Sequence, residues 1–421
     1  MSNYKKTILP MGKMAASIRR LANDAQVLID QENANDPFVK RMMNLVKSFL
    51  KARRVLCYGG TALNNLLPVE DQFYDPKQDI PDYDFFSETP QEDAMKLADI
   101  LHKEGVHAVE VKPGLHLGTF KVFAAYIGVA DITHLESEVF ERLWKERIEK
   151  EDISYAPPNY LRMSLYLELS RPRGDVSRWN KIYSRLSAFN KHYPITCPAP
   201  PPVLKNIDED IRNDIEEYMK DQHIVLLGTN AISDTWSLPI DGLCIPEHVH
   251  RVVSHLARMI GGKVSAYTEY LDLLPPHYDV RKGKTLVFRI FETTACHSYH
   301  ETKTGLYVAS IPTLLQFSLA MMYSDSHFLE ASSRQRLSCT AQMLIDMANG
   351  DKKRRFRVLT PITCIGTQQS AVDMREEKAE LYASLKKKRS TPEFLEYFFS
   401  YRPDETNPTQ KRILKKNLPS A

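Results

Sequence analysis

Val55-Leu56-Cys57-Tyr58-Gly59-Gly60-Thr61-Ala62-Leu63-Asn64-Asn65-Leu66-Leu67-Pro68 is the stretch that decides the fold. Four apolar residues run into a Gly-Gly pair, so a short strand meets a tight turn. Thr61 to Leu67 then reads as a short helix stopped by Pro68. Glycines at such a turn let the backbone approach an anion, and the helix start offers it free N–H groups. Thr61 adds a hydroxyl donor. Taken alone, a Gly-Gly turn is more often only a turn.

Downstream, Asp82-Tyr83-Asp84 sits in a strand-like run with Phe85 and Phe86. Strand side chains alternate, so Asp82 and Asp84 share a face. Adjacent carboxylates repel, and a cation between them removes the conflict. Oxygen ligands of this kind suit Mg²⁺. A third carboxylate, Asp131, stands in the apolar run Ile127-Gly-Val-Ala-Asp-Ile-Thr133, where a lone acid is costly unless paired or metal-bound. The bland alternatives are a solvent-facing pair on an edge strand and a capping aspartate.

Around this centre the chain reads as alternating helices and strands. Residues 14–54 are helical with an interruption at Pro37, and a helix at about 90–104 enters through Thr89-Pro90 with Glu92 and Asp93 in its first turn. Strands are expected at 106–111, about 116–124 and about 126–133. A charged amphipathic helix is expected over 136–150, and residues 158–190 read as helical with breaks at Pro172 and Gly174. Residues 69–80 are polar and without period, and read as a loop. The run Pro194-Ile-Thr-Cys-Pro-Ala-Pro-Pro-Pro-Val-Leu204 is a stiff linker.

The second half repeats the first. Val225-Leu-Leu-Gly228-Thr229 follows Cys57-Tyr-Gly-Gly-Thr61, and Pro239-Ile-Asp-Gly242 follows Pro81-Asp-Tyr-Asp84. Lys284 to Phe291 follows Gly118 to Phe123, and Ser310 to Ala320 follows Ala156 to Tyr166. In this alignment Gly242 falls on Asp84 and Cys296 on Asp131, so the second copy cannot hold two metals in the same way. The expected fold class is therefore α/β (α+β) with duplicated domains, each a small mixed sheet with flanking helices. The expected boundaries are a helical segment 1–54, a chemical domain 55–193, the linker 194–205, a degenerate copy 206–350 and a basic region 351–421.

The 421 residues are 43 % apolar and 26 % charged, ordinary for a folded chain. No apolar run reaches eighteen residues, so no membrane span is expected, and the first twenty residues lack a signal-peptide core. Six scattered cysteines exclude CxxC motifs and argue for a reducing compartment. Residues 351–421 hold 16 Lys and Arg against 9 Asp and Glu, while the first 350 hold 40 against 44. A basic end on a near-neutral body points to a polyanion or to a merely solvated extension. His248, His250 and His255 lack the i,i+4 spacing of a zinc pair.

Glycine turn, helix, Asp-x-Asp strand and a later strand aspartate together resemble the polymerase-β-like nucleotidyltransferases. The gap from Gly60 to Asp82 is longer than is common there. A narrower match lies in Tyr58 to Pro68, Ile80-Pro-Asp-Tyr-Asp-Phe-Phe-Ser87 and Leu167-Glu-Leu-Ser-Arg-Pro-Arg-Gly-Asp-Val-Ser-Arg-Trp179. These resemble the poly(A) polymerase catalytic subunits of large nucleocytoplasmic DNA viruses. The resemblance implies a template-independent adenylyltransferase acting on RNA 3′ ends, with ATP as substrate and two Mg²⁺ or Mn²⁺ ions. It implies Asp82, Asp84 and Asp131 as metal ligands, and Gly59, Gly60 and Thr61 on the terminal phosphates. Arg178 and Lys181, in a run of four cations, become ATP contacts. Lys386, Lys387, Lys388 and Arg389, with Lys352 to Arg355, Lys411-Arg412 and Lys415-Lys416, could track RNA. Processivity in such viruses comes from a homodimer or a cap-methyltransferase subunit, and the implied location is the host cytoplasm, with the virion as a second site. Rival readings are another nucleotidyltransferase (CCA-adding, oligoadenylate or toxin type) and a non-catalytic RNA-binding scaffold.

Overall fold

The computed structural model describes residues 13–197, 207, 209–233, 235–271, 273–324, 331–350 and 359–419. Most of the linker, at 198–206, and the cluster Lys352 to Arg355 lie outside the described residues. Two helices open the chain, α1 (Lys13–Asn35) and α2 (Pro37–Ala52). Asp36 caps α2 by accepting from Phe38 N at 2.7 Å, with Pro37 in the first turn. Val39, Met42, Met43, Val46, Phe49 and Leu50 give α2 a buried helical face. On α1, by contrast, Ile18, Leu21, Val27 and Leu28 are exposed.

The elements that follow are β1 (Leu56–Tyr58), α3 (Gly59–Leu66), β2 (Tyr83–Ser87), α4 (Pro90–Lys103), β3 (Glu110–Pro113), β4 (Thr119–Ala124), β5 (Ile127–His134), α5 (Ser137–Lys145), β6 (Ile148–Lys150), β7 (Ile153–Tyr155), α6 (Pro158–Leu169) and α7 (Trp179–His192). The strands form one mixed sheet in the order β3-β4-β5-β2-β1-β7-β6. The expected helix over 136–150 stops at Lys145, and its last residues are strand β6, paired antiparallel with β7. Break and restart between α6 and α7 fall where Pro172 and Gly174 place them.

In the second half come α8 (Glu209–Asp221), β8 (Val225–Leu226), β9 (Ile240–Cys244), α9 (Pro246–Ile260), β10 (Lys263–Tyr267), β11 (His277–Lys282), β12 (Thr285–Glu292), β13 (His297–Glu301), β14 (Tyr307–Ala309), α10 (Ile311–Tyr323) and α11 (Ala331–Asn349). The second sheet runs β10-β11-β12-β9-β8-β14-β13, extended by β15 (Cys364–Ile365). Strand for strand this is the order of the first sheet. The parallel and antiparallel senses match as well.

The strand register corrects the sequence alignment of the two halves. Residue Tyr58, just before Gly59, pairs with Asp84. Leu227, just before Gly228, donates its N–H to the Asp241 carbonyl at 2.7 Å. Asp241 is thus the counterpart of Asp84, not of Tyr83, and Pro239 stands where the first half has Asp82. Likewise β12 corresponds to β5 rather than β4. Asp84 pairs with Asp131, and Asp241 pairs with Arg289, so Arg289 rather than Cys296 replaces the third acid. A one-residue slip in a strand turns every side chain to the other face, which is why motif matching by letters missed this.

Helices α6 and α10 hold corresponding places and pack together, joining the halves through a continuous apolar core. Arg142 of α5 reinforces the junction, donating to Tyr270 Oη at 2.5 Å and to the Tyr323 carbonyl at 2.8 Å. The cysteines depart from the expected reduced state. Cys197 is bonded to Cys339 and Cys296 to Cys364, while Cys57 and Cys244 are free and buried. Partners 142 and 68 residues apart leave no trace in local spacing.

The chain ends in α12 (Ala371–Leu385), α13 (Pro392–Phe398) and α14 (Pro408–Lys416). This segment is not only a solvated extension. Phe394, Leu395, Phe398, Phe399 and Tyr401 are buried, and Phe399 meets Phe120 of β4 edge to face. Val111 of β3 and Tyr401 exchange both backbone hydrogen bonds, at 2.8 and 3.1 Å, covering the edge of the first sheet. No described helix is long and apolar enough to cross a membrane.

Candidate active site

The glycine turn is built against Asp84. Gly59 has φ +73°, and a Cβ there would stand 2.2 Å from Asp84 Oδ2. Backbone conformation and space therefore both demand glycine. A Cβ on Gly60 would lie 2.7 Å from the Tyr74 hydroxyl and 3.0 Å from Arg185 Nη1. Thr61 is nearly buried and donates to the Asp82 carbonyl at 2.6 Å. Its hydroxyl is committed to holding the approach to β2, which leaves phosphate contact to the backbone of the turn.

Asp84 on β2 and Asp131 on β5 face each other across neighbouring parallel strands, with Asp82 just ahead of β2. Burial pushes the Asp84 carboxyl up to about 7, and the charges of Asp82 and Asp131 push the same way. Asp82 is also raised, by burial first and then by Asp131. Lys121, the register partner of Asp131 on β4, donates to its Oδ2. One ammonium faces three acids, so the cluster is short of positive charge. Among the described residues, no three acidic, histidine or cysteine side chains close around a point as placed. The donor set nonetheless fits a hard divalent cation: three carboxylates, of which Asp82 and Asp84 are raised by burial and by neighbouring acids and would be relieved by a cation between them.

Opposite the turn lies a basic stripe. Arg178, at the start of α7, binds Glu168 Oε2 at 3.0 Å, and its charge reaches Asp84. Lys181 lies one turn on, its ammonium lowered by burial and by Arg185 and Arg178. Arg185 follows on the same face. It donates to the Tyr74 hydroxyl at 2.9 Å and lies 4.1 Å over the Phe73 ring. Both aromatic residues belong to the loop 69–80, pinned by buried Asn64, whose Oδ1 accepts from Phe73 N and Tyr74 N at 2.9 Å each.

Sequence reasoning singled out the three aspartates, the turn and the first two cations; the structure sets the aspartates, the turn and Arg178 near one another, with Lys181 one helical turn beyond Arg178. It missed Lys121, Arg185 and Tyr74. Arg185 was accessible in principle, since 178, 181 and 185 share a helical face. Lys386, Lys387, Lys388 and Arg389 lie just after α12. Of these, Lys388 pairs with Glu393 at 3.2 Å and Arg389 donates to Tyr382 Oη at 2.9 Å.

Known proteins resemble this arrangement. The family model described as poly(A) polymerase catalytic subunit matches residues 44–175. A proposed poly(A) polymerase catalytic subunit of African swine fever virus (isolate Pig/Kenya/KEN-50/1950) is 28 % identical over 176 residues, 40 % of this chain and 37 % of that protein. Its counterpart from Acanthamoeba polyphaga mimivirus is 27 % identical over 216 residues, 48 % of this chain and 36 % of that protein. Each match thus spans well under half of the relative. The crystal structure of the Megavirus polyadenylate synthase has the same fold, with a TM-score of 0.77 at 19 % identity, covering 99 % of this chain and 91 % of that one. Over residues 44–175, which contain the glycine turn and all three aspartates, the chain matches the family model of the poly(A) polymerase catalytic subunit.

Proposed function

We propose that the protein is a template-independent polynucleotide adenylyltransferase that adds AMP from ATP to RNA 3′ ends. The observation that carries this is the cluster of Asp82, Asp84 and Asp131 beside the Gly59-Gly60 turn, with a cationic helix face opposite. The three aspartates and the glycine turn fall inside the segment that matches the family.

In this reading the N–H groups at the start of α3 receive the triphosphate. Arg178, Lys181 and Arg185 neutralise it and hold it along the turn. Asp82 and Asp84 would hold two divalent ions, Mg²⁺ or Mn²⁺, and Asp131 would hold the one nearer the RNA. Bound there, the ions would acidify the 3′-hydroxyl and neutralise the departing pyrophosphate. The 3′-oxygen bonds to the α-phosphorus as the bond to the β-phosphate bridge breaks, and the hydroxyl proton passes to solvent. Processivity would come from a second copy of the chain or from a cap-methyltransferase subunit.

Purified protein with a short RNA primer, Mg²⁺ and each NTP in turn tests the reading. Long ATP-only extension supports it. Addition limited to CCA, oligoadenylate made without a primer, or no nucleotide transfer would each replace it with a rival.

A further inference from the structure

The glycine turn has two chemically different sides. Gly59 abuts the Asp84 carboxylate, while Gly60 abuts the Tyr74 hydroxyl and the Arg185 guanidinium. A triphosphate laid along the turn with its reacting α-phosphorus beside Asp84 brings its terminal phosphate to Tyr74 and Arg185. We infer that Tyr74, presented by the loop 69–80, positions the terminal phosphate of the nucleotide together with Arg185, and so sets the preference for a triphosphate over a diphosphate. This rests on the nucleotidyl-transfer reading above and names the residues that would read the far end of its substrate.

Two further observations point the same way. Arg185 is only 9 % exposed, yet among the described residues no carboxylate lies within ion-pair distance of it. Its partners are a neutral hydroxyl and the faces of Phe73 and Tyr74. A buried guanidinium without an anion is costly, and a phosphate supplies one. Glu168, whose carboxyl feels the Arg185 charge, is already bound to Arg178. In addition, Tyr74 accepts from Arg185, and among the described residues no acceptor takes its own O–H. Asn64 anchors the loop from below through both backbone N–H groups, which fixes the phenol over the turn instead of leaving it to solvent.

The test is calorimetric binding of ATP and of ADP, each with Mg²⁺, to the full-length wild type and to Tyr74→Phe. The variant keeps the ring under Arg185 and loses only the hydroxyl, and an unchanged melting temperature verifies its fold. A hydrogen bond to a charged phosphate is expected to be worth roughly tenfold or more in affinity. ATP binding should weaken by about that factor while ADP binding changes less than about twofold. In turnover the loss should appear in KM and leave kcat nearly unchanged. Equal weakening toward ATP and ADP would show a purely structural hydroxyl, and no weakening toward either would also overturn the inference. A wild type that binds neither nucleotide would remove the parent reading along with it.

Discussion

Arg289 occupies in the second sheet the register position that Asp131 occupies in the first. Each stands opposite the strand aspartate beside the glycine turn, Asp241 and Asp84 respectively. The neighbouring strand is inverted to match: Lys121 faces Asp131, whereas Asp279 faces Arg289, with Arg289 Nε 3.0 Å from Asp279 Oδ1. The first half keeps an excess of acid that asks for a cation. The second half supplies its own cation as a buried side chain, and Arg336 adds another near Asp241.

This inversion separates stability from chemistry. Asp241→Ala leaves the nearby Arg289 and Arg336 with one fewer buried counter-charge. Its melting temperature should fall, while the fraction that stays folded extends RNA at the wild-type rate. Asp131→Ala should do the reverse. Thermal melts and primer extension on the two proteins check both halves of the statement.

The Asp84 carboxyl gives a pH signature. Its folded pKa of about 7 lies above the roughly 3.9 of an unfolded aspartate. Between those values the folded state binds the extra proton, so raising the pH must lower stability. The stabilisation is complete below about pH 4 and is lost as pH rises through about 7, by at most about 1.4 kcal/mol for each pH unit crossed. In EDTA, Asp84→Asn should therefore melt higher than wild type at pH 8 and level with it at pH 4. Mg²⁺ or Mn²⁺ should raise the wild-type melting temperature at pH 8 and do so much less in the variant.

Truncation after Ser390 should not be a mild change. It removes Phe394, Leu395, Phe398, Phe399 and Tyr401 from the core and bares the β3 edge. Losing even one fully buried Phe costs about 3–5 kcal/mol. The truncated chain should be insoluble or show a non-cooperative melt, and circular dichroism against temperature reads this out.

The basic residues after α12 are better tested by substitution. Changing Lys386, Lys387, Lys388 and Arg389 to Gln leaves the core in place. If they touch RNA, the slope of log affinity against log salt should fall by about 0.7 per lost phosphate contact, with ATP affinity unchanged. An identical slope would leave these cations as solvated surface and move the RNA path elsewhere.

How much of this was legible depended on how local the signal is. The β1–turn–α3 unit and the Asp-x-Asp strand announce themselves within thirty residues, and helix starts at Pro37, Pro90 and Pro158 follow from fixed dihedrals. The β6–β7 hairpin was hidden because its turn is Glu151-Asp152, with φ +54° and +64°, where Gly or Asn is the usual marker. Ala125-Tyr126 makes the β4–β5 turn in the same left-handed way. The duplication was readable as an order of elements but not as a register, because one residue of slip exchanges Asp241 with Gly242. Tyr74 and the C-terminal aromatics could not be placed at all. Their contacts lie 111 residues away at Arg185 and nearly 300 away at β3, and sequence periodicity carries no information at that distance.

The central claim is that Asp84 serves chemistry and not the fold. The most direct measurement is RNA primer extension by wild type and Asp84→Asn with ATP and Mg²⁺, each melted in parallel under the same buffer. The account predicts extension by the wild type, none by the variant, and a variant melting temperature equal to or above that of the wild type. A folded Asp84→Asn protein that extends the primer as fast as the wild type would contradict it.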